Sequence, residues 1–321
     1  MRLSIVAPCF NEEATLRELH RRATRAATEF VGQDFELVLV NDGSRDHTWE
    51  VMQVLAGEDA RVVAVNLSRN HGHQLALSAG LSIARGDRVL IVDADLQDPP
   101  ELLPEMMRLM DEGADVVFGQ RRHREGETLF KRASATAFYR ILRWLSDVQI
   151  PVDTGDFRLM SRRAVDVLNS MPETHRFIRG MVGWLGFKQV ALEYDRESRK
   201  GGTTNYPLRR MVRLAIDAIT SFSIKPLRIA SMLGILFALL GLAGVLFSVS
   251  GWLYGHTVPG WTSVMVVVLT LGGIQLTVLG IMGEYLGRLY IESKRRPLYV
   301  IDELRTRSQA QNASRASVDL P

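Results

Sequence analysis

Val89-Leu90-Ile91-Val92-Asp93-Ala94-Asp95-Leu96-Gln97-Asp98-Pro99-Pro100-Glu101 is the stretch whose reading decides the fold. Four aliphatic residues, Val89 to Val92, stop at two carboxylates one residue apart, Asp93 and Asp95. A short unbroken aliphatic run reads as a strand buried on both faces, as in the middle of a parallel sheet. Open α/β sheets bind ligands beyond the carboxyl ends of their strands. Carboxylates there suit a hard divalent cation, commonly held by one or two acids and completed by substrate phosphates. The alternative is a surface turn with two solvated acids, since Asp and Pro are common turn residues.

Working outward, the first ~200 residues alternate two patterns. Leu3 to Ala7, Glu36 to Val40, Val62 to Asn66, Val89 to Val92 and Val116 to Gly119 read as strands. Glu12 to Val31 and Gln74 to Ala84 carry apolar residues at helical spacing. Such alternation implies βαβ units and a mostly parallel, Rossmann-like α/β sheet. Polar groups recur where the strands stop: Pro8-Cys9-Phe10-Asn11-Glu12-Glu13, Asn41-Asp42-Gly43-Ser44, and Ser68-Arg69-Asn70-His71-Gly72-His73-Gln74. Each is also ordinary turn chemistry, but their recurrence along one sheet edge favours a clamp for a nucleoside. His71 and His73 either line such a site or serve as packed or capping residues. Cys9, the sole cysteine, excludes an intramolecular disulfide and reads as a small buried hydrophobe.

Two later segments change the class of protein. Ile229 to Gly255 and Thr257 to Gly283 contain no charged residue, and each exceeds the ~20 apolar residues needed to cross a bilayer. Basic residues flank the pair on its outer sides: Arg209, Arg210, Arg213, Lys225 and Arg228 before it, Arg288, Lys294, Arg295 and Arg296 after it. The connecting turn near His256 to Trp261 has none, so the positive-inside rule puts both termini in the cytoplasm. Leu208 to Phe222 carries an apolar stripe opposite Arg209, Arg210, Arg213 and Asp217, which reads as an amphipathic helix on anionic headgroups or as a core-packing helix. The net charge of +3 is small, but Lys and Arg cluster at 121–132, 196–213 and 288–296, which suits an anionic partner. Leu3 to Ala7 is too short for a signal-peptide core, and residues 307–321 are polar enough to expect disorder. The expected organisation is an α/β domain over 1–207, the amphipathic helix over 208–226, two membrane helices over 227–287 (about 229–253 and 262–285), and a cytoplasmic tail over 288–321.

Pro8 to Glu13, Asn41 to Ser44 and Asp93 to Pro100 resemble the hallmarks of inverting family 2 glycosyltransferases with the nucleotide-sugar-binding GT-A fold. With Val152-Asp153-Thr154-Gly155-Asp156-Phe157-Arg158-Leu159, Arg199-Lys200-Gly201-Gly202-Thr203-Thr204-Asn205-Tyr206 and two membrane helices following in order, the chain resembles the polyprenyl-phosphate glycosyltransferases. These include bacterial bactoprenol glucosyltransferases and, more distantly, dolichol-phosphate mannose synthase. The resemblance spans residues 3 to about 300. It implies transfer of a hexose, glucose from UDP-glucose before GDP-mannose or UDP-amino sugars, to undecaprenyl or another polyprenyl phosphate at the inner membrane.

The same resemblance implies residue roles. Pro8, Glu12 and Asp42 would hold base and ribose. Asp93 would bind ribose or the diphosphate edge, or join Asp95 and Gln97 on Mg²⁺ or Mn²⁺. Arg199 and Lys200 would close over donor phosphates, and Arg121, Arg124 and Lys131 would receive the acceptor phosphate or form a solvated basic face. Asp156 would act as base or orient the acceptor, or would pair with Arg158 for structure alone. A homo-oligomer, with a tetramer among the options, is implied, and no nucleic-acid partner is expected. A processive synthase would show Gln-x-x-Arg-Trp, which Arg179-Gly180-Met181-Val182-Gly183-Trp184 does not match. A membrane-anchored nucleotide-sugar binder without catalysis is the reading from a different class; metal-dependent turnover separates the two.

Overall fold

The computed structural model describes residues 1–121, 154–195, 223–254 and 260–307. They divide into two compact units: residues 1–121, 154–195 and 297–307 form one, residues 223–254 and 260–296 the other. Leu208 to Phe222, read as an amphipathic helix, lies outside the described residues.

In the first unit, β1 (Leu3–Cys9), α1 (Leu16–Val31), β2 (Phe35–Asn41), α2 (Thr48–Glu58), β3 (Val62–Leu67), α3 (His73–Ile83), β4 (Arg88–Ile91), α4 (Leu103–Asp111) and β5 (Val116–Arg121) follow one another. After them come β6 (Thr154–Ser161), α5 (Arg162–Ser170), α6 (Ile178–Trp184) and β7 (Gln189–Tyr194). A last strand, β8 (Ile301–Arg305), returns from beyond the second unit. Eight strands form one sheet in the order β7-β5-β6-β4-β1-β2-β3-β8. Six point the same way; β6 and β8 oppose them. The sheet is thus α/β and mostly parallel.

Both faces of the central strands are buried, as an aliphatic run requires. Leu3, Ile5, Ala7 and Cys9 of β1 join one core with α1, α2 and α4 residues such as Leu19, Met52 and Met106. On the opposite face α3 lies close, because Gly80 has no Cβ: one built there would stand 2.4 Å from Val6 Cγ1 and 3.0 Å from Val40 Cγ2.

The five strands expected from the sequence form, each one or two residues longer or shifted. α1 starts at Leu16 rather than near Glu12, whose backbone N–H donates to Thr48 Oγ1 at 2.8 Å. Three further strands lie where the sequence reading has none. Gln189–Tyr194 pairs in parallel with β5 at the far edge of the sheet. Thr154–Ser161 inserts antiparallel between β4 and β5. Ile301–Arg305, within the stretch expected to be a tail, covers the edge of β3 in antiparallel register, with Ser68 N–H bonded to Val300 O at 2.9 Å. Tyr299 Oη adds a 2.8 Å bond with Ser82 Oγ.

The second unit contains α7 (Lys225–Leu253) and α8 (Trp261–Ser293). Within them Lys225–Gly244 and Val266–Ser293 are long and apolar enough to span a membrane, each with mean hydropathy 2.0. Their apolar side chains, Leu236, Leu240, Phe247 and Leu276 among them, are exposed instead of filling a core, which is consistent with a membrane-anchored protein. Tyr285 Oη, late in α8, donates to Ser223 O just before α7 at 2.6 Å, so the two helices run antiparallel.

An uncovered strand edge is a template for association. Deleting residues 297–321 should lower the thermal midpoint of the detergent-solubilised protein and promote aggregation, whereas deleting 308–321 should change neither. Equal behaviour of the two truncations would show that β8 contributes nothing to the sheet. A deletion of everything after residue 226 therefore removes a strand along with the apolar helices.

Candidate active site

Where the chain turns from β3 back to β4, on the other side of β1, the sheet has its switch point. Such points open a crevice at the carboxyl edge. The β1–β4 ladder ends at Val6 opposite Ile91, with one more bond from Val92 N–H to Val6 O at 3.1 Å. The β1–β2 ladder continues to Cys9 opposite Asn41, and Asp42 N–H then donates to Cys9 O at 2.9 Å. Beyond Val6, β1 and β4 therefore part. Pro8 lies in the parted stretch; two residues on from Val6, its backbone faces the side where the ladder has ended, so its missing N–H costs nothing. Cys9 is buried, and burial pushes its thiol pKa up, which leaves it a small hydrophobe.

Around this crevice the three expected loops interlock. Asn11 N–H donates to Ser44 Oγ at 3.0 Å, and Arg45 N–H returns a bond to Asn11 Oδ1 at 2.8 Å. Glu12 Oε2 accepts from Thr15 Oγ1 at 2.9 Å. Asp42 is buried, and its carboxylate takes the backbone N–H groups of His71 at 2.7 Å and Gly72 at 3.0 Å. Burial nevertheless raises its pKa above the ordinary value. Asp42 thus fixes the turn that leads into α3.

That turn delivers His73 and Gln74 to a buried carboxylate. β6 runs against its neighbours, so its first residues, including Asp156, sit at the carboxyl edge. Ile91 pairs with Arg158; continuing that register past the end of β4 sets Asp93 opposite Asp156. Asp156 accepts from His73 Nε2 at 3.1 Å, Gln74 Nε2 at 2.9 Å and Arg179 Nε at 2.9 Å. Arg158 lies 3.9 Å away and spends its guanidinium on the carbonyls of Gly155 and Asp156. Burial alone would raise the pKa of Asp156, but Arg179, His73 and Arg158 together hold it well below the usual carboxylate range.

Asp93 is the opposite case. Its Oδ1 is buried without a hydrogen-bond partner, 3.5 Å from His73 Nε2. Burial pushes its pKa up to about 6; His73 opposes the rise, while Asp156, Asp98 and Asp95 add to it. Two residues on, Asp95 Oδ1 accepts from Gln97 N–H at 3.1 Å in a tight turn. Among the described residues no three His, Cys, Asp or Glu side chains converge into a ready metal cage. The Asp93 oxygen without a hydrogen bond and the oxygen donors beside it nonetheless fit a hard cation whose remaining ligands come from a phosphate.

The structure thus brings Pro8, Glu12, Asp42, Asp93, Asp95, Gln97 and Asp156 to one edge of the sheet. Arg121 ends β5, while Arg124, Lys131, Arg199 and Lys200 lie outside the described residues. The sequence reading quotes Gln74 in the polar loop after β3 and Arg179 in a motif that does not match, and gives neither a role of its own. Gln74 is a bridge: its Oε1 accepts Ile178 N–H at 2.9 Å while its amide holds Asp156. No local pattern signals that role, because its partners lie 82 and 104 residues away.

An α/β sheet parted at its switch point, with acids on the crevice, marks the place where such sheets bind ligands. Residues 4–168 match the family model for glycosyl transferase family 2, and residues 225–289 match that for the GtrB C-terminal hairpin. The glycosyltransferase YkcC of Bacillus subtilis (strain 168) is 44% identical over 311 residues, covering 94% of this chain and 93% of its own. A prophage bactoprenol glucosyl transferase homolog of Escherichia coli (strain K12) is 38% identical over 95% of this chain and 100% of its own. The bactoprenol glucosyl transferase of Shigella phage SfV is 38% identical over 94% and 98%. The chain belongs to glycosyltransferase family 2, and it is a glycosyltransferase.

The two buried carboxylates should respond oppositely to neutralisation. Asp93 holds its proton more tightly folded than unfolded, so its contribution to stability falls as pH rises from about 4 through about 6. In chelator at pH 7.5, Asp93→Asn should therefore stabilise the protein, by on the order of 2–3 kcal/mol for a shift of about two units, with the gain vanishing near pH 4. Asp156 is held ionised, so Asp156→Asn should destabilise, by about 3–5 kcal/mol as for a broken buried ion pair. Thermal unfolding of both variants across pH checks this; a stabilising Asp156→Asn would contradict the ion cluster.

Proposed function

We propose that this protein transfers glucose from UDP-glucose to a polyprenyl phosphate, with inversion and with a divalent cation, at the cytoplasmic face of a membrane. The observation that carries the reading is the joint match to the family 2 domain and to the GtrB hairpin. Its relatives named bactoprenol glucosyl transferase align over nearly their whole length. Basic residues on the outer flanks of the helix pair support cytoplasmic termini.

In this reading Pro8, Glu12 and Asp42 line the nucleoside side of the crevice. Asp95 and Gln97, with Asp93, face the diphosphate and the cation, Mg²⁺ or Mn²⁺. Bound there, the cation neutralises charge that builds on the leaving diphosphate. Arg199 and Lys200 serve the donor phosphates, for which the arginine fork is suited. Arg121, Arg124 and Lys131 serve the acceptor phosphate.

The acceptor limits what is asked of Asp156. A phosphate monoester has a second pKa of about 6, so near neutral pH its oxygen is already an anion and needs alignment more than deprotonation. A carboxylate held far below the usual range by Arg179, His73 and Arg158 is a poor proton acceptor. Asp156 therefore acts by orientation: it holds His73 beside Asp93 and Arg179 at the crevice.

Purified protein in detergent, undecaprenyl phosphate and Mn²⁺ or Mg²⁺ would be incubated with labelled UDP-glucose, UDP-amino sugars and GDP-mannose. Label is expected in the organic phase from UDP-glucose. Asp95→Ala should abolish that transfer while the protein remains folded. Label from another donor alone would reassign the sugar. Nucleotide binding without transfer from any donor would favour the non-catalytic binder.

A further inference from the structure

The turn that presents Asp95 and Gln97 is strained and is held by residues outside the crevice. Leu96, between them, has φ +62°, a left-handed backbone that costs a non-glycine residue roughly 1–2 kcal/mol. Such a conformation persists only where its surroundings over-determine it. The Leu96 side chain is buried in the main core, which commits the backbone to this turn from one side. From the other side the loop is tied at two later points. Asp98 is fully buried and accepts a hydrogen bond from the Tyr194 hydroxyl at the end of β7. Glu101 receives a two-pronged contact from the buried Arg22 of α1, with Nε to Oε1 at 2.8 Å and Nη2 to Oε2 at 2.7 Å.

Tyr194 is itself tightly placed. Its ring meets Phe157 edge-on, with centroids 5.7 Å apart and planes at 64°. The space for this pair exists because residue 119 is glycine: a Cβ there would lie 2.7 Å from Phe157 Cδ1 and 2.7 Å from Tyr194 Cε1. Gly119 also sits at the irregularity where β5 and β6 slip register. Packing thus fixes the ring, the ring fixes the hydroxyl, and the hydroxyl fixes Asp98 three residues past Asp95.

We propose that Tyr194 is a positioning residue for the cation site: through Asp98, and together with the Arg22–Glu101 fork, it holds the Asp95–Gln97 turn in its ligand-binding form. The proposal rests on the reading of Asp95 as a cation ligand. It distinguishes Tyr194 from an ordinary core tyrosine, whose hydroxyl would matter only to stability.

Tyr194→Phe removes the hydroxyl and keeps the ring. Full-length variant and unsubstituted protein would be titrated with Mn²⁺ in the presence of UDP, following free Mn²⁺ by electron paramagnetic resonance. Amide exchange of residues 95–101 would be compared in chelator, and metal-free UDP binding measured alongside. The expected result is Mn²⁺ binding weakened about tenfold or more, the usual scale for losing a group that orients a ligand, with faster exchange at 95–101 and unchanged UDP binding. Arg22→Gln, acting from α1, should weaken Mn²⁺ in the same direction, and it serves if Tyr194→Phe fails to fold. Mn²⁺ binding within about twofold of normal in a folded variant overturns the proposal while leaving the metal reading intact. If the unsubstituted protein itself binds no Mn²⁺, the metal reading falls and the proposal falls with it.

Discussion

A single buried negative charge organises the site. An ionised carboxylate removed from water costs several kcal/mol unless opposite charges and hydrogen bonds replace its solvent. Asp156 meets that requirement with His73 and Gln74 from the start of α3 and Arg179 from α6, while Arg158 of its own strand stands close by. These residues span more than 100 positions of sequence, so satisfying one charge fixes where three elements meet. Gln74 makes the tie double, since it also accepts the Ile178 N–H that begins α6. The close seating of α3 over Gly80 then decides how far those side chains reach.

Across the register from Asp156, Asp93 is left with an oxygen that no hydrogen bond satisfies, and burial pushes its pKa up to about 6. The pair divides the labour. The charge on Asp156 is already neutralised by the protein, whereas the charge on Asp93 waits for something that arrives. A site that binds a diphosphate with a cation needs that asymmetry: a crevice fully compensated in advance would have no electrostatic reason to take up a metal, and one wholly uncompensated would strain the fold. His73, which touches both acids, stands between the two regimes.

Much of this was legible in the sequence because it is local. The aliphatic run before Asp93, the turn residues after β1 and β2, and the helical spacing of α1 each encode their structure within a dozen residues. What was not legible is non-local. Thr154 to Ser161 reads as a motif, yet its place between β4 and β5 and its reversed direction are set by partners tens of residues away. That reversal is what carries Asp156 to the carboxyl edge. Ile301 to Arg305, with three charged residues in five, has none of the apolar character of an interior strand; it is an edge strand, and only the exposed side of β3 gives it a reason to form. Arg179 was visible only as part of a motif that did not match, and Gln74 only as the last polar residue of the loop after β3, because a bridging amide has no spacing signature.

The returning strand makes the first unit discontinuous in sequence. After the apolar helices the chain comes back at residue 297 to add β8 to a sheet whose other strands all precede those helices. Its partners in β3 lie more than 200 positions earlier, from Ala64 opposite Arg305 to Leu67 opposite Ile301. A single set of backbone hydrogen bonds thus closes the sheet over the whole length of the chain, and it caps β3 against association.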